Sequence, residues 1–307
     1  MKISVITPCL NSLEYIEQSI QSVRDQNFNS LEHIIVDGGS EDGTVDVLRK
    51  YPHLKWISEP DDGQSDAMNK GFDLSTGDII VYLNADDYFL PNAFNTVARQ
   101  FEKGAVFVVG KVLILYEERP FQVNDPKTNL EDMLKWWEKD SFCCNPAGYF
   151  YRREVQEKIG GFNIHNHYSM DYEFLLESAH KFRLTKIDAT LGVHRRFKGT
   201  KTYDSITNFD YVFHFECANR FVQYFDENFI ASHKKIRRRY IKRAMEDKYI
   251  VAIIENFKRS HYRNAIHKLF IFFWYSPIRI FYRLGRFMIK FPFKYFVKKP
   301  PGSFGIS

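Results

Sequence analysis

The feature that most constrains the fold of this chain is the alternation of short apolar runs with helical segments over its first hundred residues. The segment KISVIT (2–7) is a short run rich in β-branched residues, and HIIVDGGS (33–40) contains an apolar run that ends at Asp37 in a glycine turn. Such runs are typical of strands that are buried on both faces. Apolar residues at helical spacing follow each run, at 14–23 and at 45–51. The alternation therefore predicts a doubly wound, mostly parallel sheet covered by helices on both sides.

Two more strand signals extend this pattern. LKWISEP (54–60) predicts a third strand, SDAMNKGFDLS (65–75) a third helix, and DIIVYLNADD (78–87) a fourth strand. In open α/β sheets, ligands bind beyond the carboxyl ends of the strands. The polar clusters that follow the four strands are therefore expected to line one crevice; they are 8–11, 37–40, 59–66 and 84–87. The segment 107–203 mixes both patterns and is expected to extend the sheet and close the site.

The turn DGGSEDGT (37–44) directly follows a buried-strand pattern. Its glycines permit a tight turn, and the Asp37 carboxylate could accept hydrogen bonds from a nucleobase or a ribose. The alternative is a purely structural turn into a helix that Ser40 or Asp42 caps.

The segment VYLNADDYFLP (81–91) places Asn84, Asp86 and Asp87 together after a strand that should be inaccessible to water. Oxygen ligands of this kind suit Mg²⁺ or Mn²⁺, which can bridge a diphosphate. Two adjacent carboxylates also repel each other unless a cation is present. The alternative is that Asp86 or Asp87 caps a helix that begins near Pro91.

Four motifs in this order carry a family resemblance: ITPCLN (6–11), VDGGSEDGT (36–44), EPDDGQSDAMNKGF (59–72) and TGDIIVYLNADDYFLP (76–91). Together they resemble the inverting glycosyltransferases of family 2, which have the GT-A fold and include bacterial cell-surface polysaccharide enzymes. The match covers roughly residues 2–203. It implies a hexosyltransferase that moves one sugar from a nucleoside diphosphate sugar to a hydroxyl of a glycan or polyprenyl-linked acceptor.

The resemblance also implies which residues hold the donor. The loop after the first strand and the acid after the second would bind the nucleoside, and the segment around Gln64 would close over base and diphosphate. The nucleotide-sugar contacts expected on this basis are Thr7, Pro8, Leu10, Asn11, Asp37, Gly39, Ser40, Asp66, Lys70, Asn84, Ala85 and Arg195.

The metal-binding DXD motif of the family falls on Asn84-Ala85-Asp86, so an amide replaces its first acid. Asp86 is left as the expected direct ligand of Mn²⁺ or Mg²⁺. In LGVHRRFKGTKTYD (191–204), Phe197 stands where the family has a histidine. His194 lies nearby and is either a second metal ligand or a core histidine, and strand alternation alone would turn it away.

The segments NPAGYFYRREVQEKIGGFN (145–163) and YSMDYEFLLE (168–177) resemble the acceptor region of the family. The resemblance places the catalytic base at Asp171, although Met170 stands where the family has an acid. Direct displacement at an anomeric carbon needs a carboxylate that removes the acceptor proton. Glu173 is the reserve candidate, and the alternative for Asp171 is a solvated helix residue.

The charge distribution divides the chain near residue 230. Residues 1–232 hold 24 Lys and Arg against 35 acids, whereas residues 233–307 hold 19 against three. The sequence therefore predicts a catalytic domain over 1–230 and a basic, aromatic, mainly helical extension over 231–307. The longest apolar stretch there, Leu269–Tyr275, is too short to span a bilayer. Rings interleaved with cations favour an anionic membrane surface over packing on the catalytic domain or, least favoured, nucleic acid.

The four cysteines lack metal-binding spacing, and the first residues lack the pattern of a signal peptide. These features indicate a cytoplasmic protein, peripheral at the inner face of the cell membrane. Two rival functions remain at the sequence level. One is an inactive nucleotide- or glycan-binding protein with the same fold, and the other is a nucleotidyltransferase.

Overall fold

The structure, a computed structural model, describes residues 1–116, 119–135, 138–198, 200, 203, 253 and 262–275. The chain divides into two units, Met1–Phe229 and Ile230–Ser307. The first unit contains the sheet and the site. In the second unit the description covers Ile253 and one helix. Most of the predicted basic extension therefore lies outside the described residues.

Nine strands of the described part form one sheet in the order β3-β2-β1-β4-β8-β6-β9-β5, and β7 pairs with β6 from outside this path. The strands are β1 Ile3–Cys9, β2 Leu31–Asp37, β3 Lys55–Ser58, β4 Ile79–Tyr82, β5 Tyr88–Phe89, β6 Phe107–Tyr116, β7 Arg119–Asn124, β8 Tyr149–Arg152 and β9 Leu184–Arg196.

The helices of the described part alternate with these strands, and a 3₁₀ turn at Pro146–Gly148 precedes β8. They are α1 Ile16–Arg24, α2 Thr44–Leu48, α3 Gln64–Leu74, α4 Ala93–Glu102, α5 Leu130–Met133, α6 Arg153–Ile159, α7 Met170–Lys181 and α8 Tyr262–Tyr275. Within the described ranges, no helix is both long enough and apolar enough to cross a membrane.

The first four strands are parallel, as the apolar runs predict. β1 pairs with β2 and β4, and β2 pairs with β3. All residues of β1 and β4 are buried, because helices cover both faces of the sheet. The predicted doubly wound, parallel arrangement is therefore confirmed for this half.

The second half extends the sheet with mixed pairing. β8 lies antiparallel between β4 and β6, and β5 pairs antiparallel with β9. β6 and β9 are parallel, with register shifts around Lys111. The long strand β9 thereby brings its last residues beside the segment that follows β4.

Aromatic side chains fill the space between the sheet and α7. The Tyr149 and Tyr151 rings each stack on Phe107, with ring centroids 5.8 and 5.3 Å apart. Phe174 stacks on Phe162 at 4.7 Å. Stacked rings of this kind contribute beyond their buried area and have few alternative rotamers. The cluster therefore fixes the Tyr149 hydroxyl relative to the first turn of α7.

Candidate active site

A pocket of about 830 Å³ lies at the carboxyl edge of β1 and β4. This volume falls within the usual range for ligand sites. The lining comes from the loop after β1, the start of α3, the segment after β4 and the end of β9. It consists of Pro8 through Tyr15, Asp42, Asp61, Gly63, Gln64, Ala67, Asn84, Ala85, Asp86, His194, Phe197 and Thr200. Of the predicted site residues, it brings together Pro8, Leu10, Asn11, Asn84, Ala85, Asp86 and His194.

The loop after β1 is held in place by the turn after β2. The Asn11 backbone N–H donates to Ser40 Oγ at 2.7 Å, and Asn11 Oδ1 accepts from the Glu41 N–H at 3.0 Å. The Leu13 N–H donates to Asp42 Oδ2 at 2.9 Å. Asn11 has a φ of 48°, a left-handed conformation that asparagine adopts more readily than most residues. The two loops therefore form one connected wall of the pocket.

Asp37 lies beneath this wall and outside the pocket lining. Its side chain is fully buried and accepts hydrogen bonds from the Ser40 N–H at 2.9 Å and from Ser58 Oγ at 2.6 Å. Burial alone would raise its pKa, but the bonds from Ser40 and Ser58 hold the pKa below its ordinary value. In this structure Asp37 supports the turn and does not line the pocket.

Asp61 is the acid of the 59–66 cluster that reaches the pocket, and the sequence did not distinguish it from Asp62 or Asp66. Its Oδ1 accepts from the Gly63 N–H at 2.8 Å. Its Oδ2 lies so close to Gly38 that a Cβ atom on that glycine would approach it to 2.6 Å. Gly38 therefore leaves the space in which the Asp61 carboxylate lies at the pocket wall.

Other predicted donor contacts also lie outside the lining. Thr7 is buried and its Oγ1 lies 2.9 Å from His33 Nε2. Lys70 pairs with Glu59 at 3.1 Å and with Asp66 at 3.2 Å. Gly39 and Ser40 belong to the turn that Asp37 accepts bonds from. These residues have local partners in this structure and do not face the pocket.

Asn84 links two elements at the pocket floor. Its Oδ1 accepts from Gln64 Nε2 at 2.9 Å, and its Nδ2 donates to Asp87 Oδ2 at 2.9 Å. An amide can do both, since it has an acceptor and a donor, whereas a carboxylate would repel Asp87. The amide that replaces the first acid of the family motif thus forms hydrogen bonds with both Gln64 and Asp87.

Asp86 and His194 both line the pocket. Burial, and next the Asp87 charge, raise the pKa of Asp86 above its ordinary value. The His194 Nε2 atom is buried and has no hydrogen-bond partner among the described residues.

The protein groups alone make a sparse metal site. Within the described residues, no group of three or more His, Cys, Asp and Glu side chains is arranged to hold a metal ion. A cation would therefore need further oxygen ligands from the donor or from water.

Asp87 and Asn145 orient the His194 ring. Asp87 is fully buried, and its Oδ1 lies 3.3 Å from His194 Nδ1. Asn145 Nδ2 lies 2.7 Å from Asp87 Oδ2 and 2.9 Å from His194 Nδ1. Burial opposes the charge of Asp87, but His194 and then Asn145 hold its pKa below the ordinary value. A carboxylate behind an imidazole is the usual support of a ligating histidine, and Asn145 was not anticipated from the sequence.

Arg195 supports the backbone of the site and does not line the pocket. Its guanidinium donates to the Asp86 carbonyl at 2.8 Å and to Gln18 Oε1. It also lies over the rings of Tyr15 and Tyr88, 5.2 and 4.8 Å from their centroids. Arg195 is therefore absent from the pocket lining, where a diphosphate contact was expected, because these partners hold it on the far side of Asp86.

Phe197 occupies the position where the family has a histidine. It lines the pocket and packs on Tyr15, with ring centroids 4.6 Å apart. It offers no ligand atom to a cation, which leaves His194 as the imidazole of this wall.

Asp171 lies in the first turn of α7, outside the pocket lining. Its Oδ1 accepts a hydrogen bond from the Tyr149 hydroxyl at 2.8 Å. Burial raises the pKa of Asp171 to about 6, with Tyr149 acting against this rise and the Asp87 charge adding to it. A carboxylate with this pKa is ionised at neutral pH and is a stronger base than an ordinary aspartate.

Glu173, the reserve candidate, is held by the loop before α7. Its Oε2 accepts from Asn166 Nδ2 at 2.7 Å, and its Oε1 lies 3.4 Å from Asn163 Nδ2. This environment favours Asp171 over Glu173 as the base.

The sequence of the chain is similar to those of known glycosyltransferases. The profile of glycosyl transferase family 2 matches residues 4–160. The uncharacterized glycosyltransferase alr2836 of Nostoc sp. is 31% identical over 52% of this chain and 53% of its own length. The GalNAc(5)-diNAcBac-PP-undecaprenol beta-1,3-glucosyltransferase of Campylobacter jejuni is 30% identical over 37% of this chain and 38% of its own length. The chain spans about half the length of the first of these curated relatives.

Solved structures share the fold at low sequence identity. The S. aureus TarS 1-349 complex with UDP-GlcNAc superposes with a TM-score of 0.61 at 18% identity, covering 91% of this chain and 83% of that one. The mannosyltransferase PcManGT from Pyrobaculum calidifontis, in complex with GDP-Man and Mn²⁺, gives 0.53 at 19% identity over 96% and 82%. The predicted GT-A type α/β fold is thereby confirmed.

Proposed function

The chain belongs to glycosyl transferase family 2 and is a glycosyltransferase, and we propose that it transfers one sugar, with inversion, from a nucleoside diphosphate sugar to a hydroxyl of a lipid-linked glycan. The observation that carries this proposal is the meeting of Asp86 and the unpartnered Nε2 of His194 on one pocket of about 830 Å³. The sugar and nucleotide named for TarS and PcManGT belong to those proteins, and here they support the donor class alone.

The donor would lie with its nucleoside against the wall formed by Asn11 and Asp61. The carboxylate of Asp61 and the backbone of the loop after β1 offer hydrogen-bond acceptors to ribose hydroxyls and base N–H groups. Asp37, Ser40 and Gly39 would act indirectly, by holding this wall. Asp66 and Lys70 would shape the start of α3 in the same way.

Asp86 and His194 would hold Mn²⁺ or Mg²⁺, with Asp87 and Asn145 fixing the imidazole. When bound, the cation supplies positive charge that stabilises the diphosphate leaving group. Asn84 places a neutral amide beside Asp87 instead of a second carboxylate, and this amide donates a hydrogen bond to Asp87.

Asp171 would act as the catalytic base. It would take the proton of the acceptor hydroxyl as that oxygen bonds to the anomeric carbon, while the bond from this carbon to the diphosphate oxygen breaks. Attack opposite to the leaving group inverts the configuration. The Tyr149 hydroxyl would hold the carboxylate in place during the proton transfer.

The membrane part of the proposal is supported by one face of α8. Ile266, Phe270 and Phe273 are 59%, 65% and 41% exposed, and their spacing places them on the same side of the helix. Arg263 and His267 on this helix are also exposed. Exposed rings beside cations are the pattern of a helix that lies in the headgroup region of an anionic membrane. The location would be the cytoplasmic face, where lipid-linked precursors and nucleotide sugars meet.

The test of the proposed function is a donor screen. The protein is incubated with UDP-, GDP- and TDP-sugars in the presence of Mn²⁺ or of EDTA, and release of the free nucleoside diphosphate is measured. We expect metal-dependent release with at least one donor. Nucleotide binding without release would indicate an inactive binding protein, and release of pyrophosphate from a nucleoside triphosphate would indicate a nucleotidyltransferase.

A further inference from the structure

The loop between α6 and α7 has an unusual surface. Ile164 and Tyr168 are 37% and 38% exposed, and the intervening His165 and His167 are exposed as well. The segment 162–170, FNIHNHYSM, contains no Asp, Glu, Lys or Arg. We infer that residues 164–168, here called the acceptor platform, bind a neutral sugar ring of the acceptor. This inference rests on the proposed function, because it assigns the second substrate of the same site.

The acceptor platform is held firmly from below. Asn166 is buried, donates to Glu173 Oε2 at 2.7 Å, and accepts from the Ser169 N–H at 3.0 Å. The His165 N–H donates to Asn163 Oδ1 at 3.0 Å. A loop that is already ordered loses little conformational entropy when a ligand binds. The exposed rings are therefore presented on a fixed backbone.

The acceptor platform lies beside the donor pocket and continues into the helix that carries the base. His167 Nδ1 would lie 3.9 Å from a Cβ atom on Gly63, which lines the pocket. Ser65 Oγ, one residue into α3, lies 3.4 Å from the Asn166 carbonyl. At its other end the loop runs directly into α7, where Asp171 follows Tyr168 by three residues. A ligand on this loop would thus border the donor pocket, and the first turn of α7, which carries Asp171, follows the loop directly.

The chemistry of the acceptor platform selects for a neutral, polyhydroxylated ring. An aromatic or aliphatic side chain can cover the apolar face of a sugar, and imidazole and phenol groups can donate to and accept from hydroxyls. A uronic acid or a phosphate would bring a negative charge toward Asp171 and Glu173, with no Lys or Arg in 162–170 to compensate it. The acceptor class assigned here is therefore a neutral saccharide.

Saturation-transfer NMR on the full chain tests this inference, with UDP and diamagnetic Mg²⁺ present. The probes are p-nitrophenyl β-glucoside, β-galactoside and β-N-acetylglucosaminide as neutral sugars, and p-nitrophenyl β-glucuronide as the charged one. At least one neutral probe should give saturation-transfer signals from its sugar-ring protons that are at least threefold stronger than those from the sugar-ring protons of the glucuronide. His167→Ala and Tyr168→Ala should each reduce these signals at least threefold.

The matched control is His53→Ala, since His53 is an exposed histidine in the turn that precedes β3, whereas Gly63 beside His167 follows the other end of that strand. It should leave the signals unchanged. A thermal melt verifies the fold of each variant, so that His167→Ala carries the test if Tyr168→Ala does not fold. Equal signals from the glucuronide, full signals from both variants, or no neutral probe bound by the wild type would each overturn the inference.

UDP and GDP affinity, measured by calorimetry on the same samples, distinguishes a failure of the acceptor platform from a failure of the proposed function. Loss of saccharide signal with nucleotide affinity unchanged within twofold supports the acceptor platform. A wild type that binds no nucleotide contradicts the proposed function itself, whatever the saccharide probes show.

Discussion

The Tyr149 hydroxyl donates a hydrogen bond to Asp171 Oδ1 at 2.8 Å, which joins the sheet to the first turn of α7. Tyr149 is fully buried in the aromatic cluster, so its hydroxyl has a fixed position. Burial raises the pKa of Asp171 to about 6 even though this bond favours the ionised form. The pair therefore combines two properties that a catalytic base needs, which are a defined orientation and a pKa near the working pH.

Asp171→Asn should abolish sugar transfer and leave donor binding nearly unchanged. Asparagine retains the shape of the side chain and can still accept from Tyr149, but it cannot take a proton. We expect kcat to fall by at least about a hundredfold, which is within the usual contribution of general base catalysis. Transfer assays and calorimetry with the donor measure the two effects. Glu177→Gln, on the same helix and paired with Lys181, is the matched control, and full turnover in Asp171→Asn would refute the base assignment.

The same substitution should stabilise the protein at neutral pH. The pKa of Asp171 in the folded protein is about 6, which is above its ordinary value. The stability that protonated Asp171 contributes is therefore complete below about pH 4, and it is lost as the pH rises through 6. Ionised Asp171 then lowers the free energy of unfolding by about 1–3 kcal/mol. Urea unfolding should show Asp171→Asn gaining stability over wild type at pH 7.5 and little at pH 4. An equal change at both pH values would contradict this origin.

Tyr149→Phe should move the acidic limb of the pH–rate profile. The Tyr149 hydroxyl lowers the pKa of Asp171, so its removal should raise that pKa above about 6. Because the base must be ionised, kcat/KM should then decline at a higher pH than in the wild type. A full profile from pH 5 to pH 9 measures the shift. A uniform loss of activity at every pH would instead indicate a role in packing alone.

Asp86→Asn and His194→Ala should weaken metal-dependent nucleotide binding. Each removes one of the protein groups proposed to hold the cation, so the affinity for UDP or GDP in Mn²⁺ should fall by at least about tenfold. Calorimetry with Mn²⁺ and with EDTA measures the difference. Asp73→Asn, an exposed residue of α3 outside the pocket lining, is the matched control. If EDTA leaves wild-type affinity intact, the metal assignment fails.

The first half of the fold could be predicted because its signals are local. β4 is apolar throughout, and β1 and β2 each contain a short run rich in β-branched residues, which is typical of strands buried on both faces. The place of β8 between β4 and β6 has no such local signal. Its antiparallel pairing depends on residues about 40 to 70 positions earlier in the chain.

The site could be predicted only as far as the motifs specify it. Asp86 reaches the pocket as expected, but Asp37 turns inward because Ser40 and Ser58 donate to it. Asp61 was missed because its place depends on the empty space above Gly38. The Ser58–Asp37 bond and the Gly38–Asp61 contact join residues more than twenty positions apart, so no pattern within one motif reports them.

His194 shows the limit of strand alternation as an argument. Alternation would turn it away from the site, yet it lines the pocket. β9 ends at Arg196, so Phe197 lies beyond the strand, and alternation does not fix the direction of its side chain relative to that of His194. Asp87 and Asn145 then fix the His194 ring. The sequence offers no sign of either effect.

Membrane binding should depend on the exposed apolar face of α8. Replacing Ile266, Phe270 and Phe273 together by Ser removes the exposed apolar face and keeps every charge of the helix. If these side chains enter the headgroup region, each contributes apolar burial that Ser cannot replace. The triple variant should therefore lose at least about tenfold in partitioning to liposomes that contain anionic lipid, measured by flotation at low salt.

The matched control is a double variant, Leu74→Ser and Val123→Ser, which removes apolar side chains that are 43% and 44% exposed on the first unit. It should float like the wild type. A separate series in rising salt should weaken wild-type binding, because the attraction of basic residues to anionic lipid is screened over a Debye length. Equal flotation of the triple variant and the wild type would show that α8 does not enter the membrane. Any binding that remained would then come from charge alone or from another part of the chain.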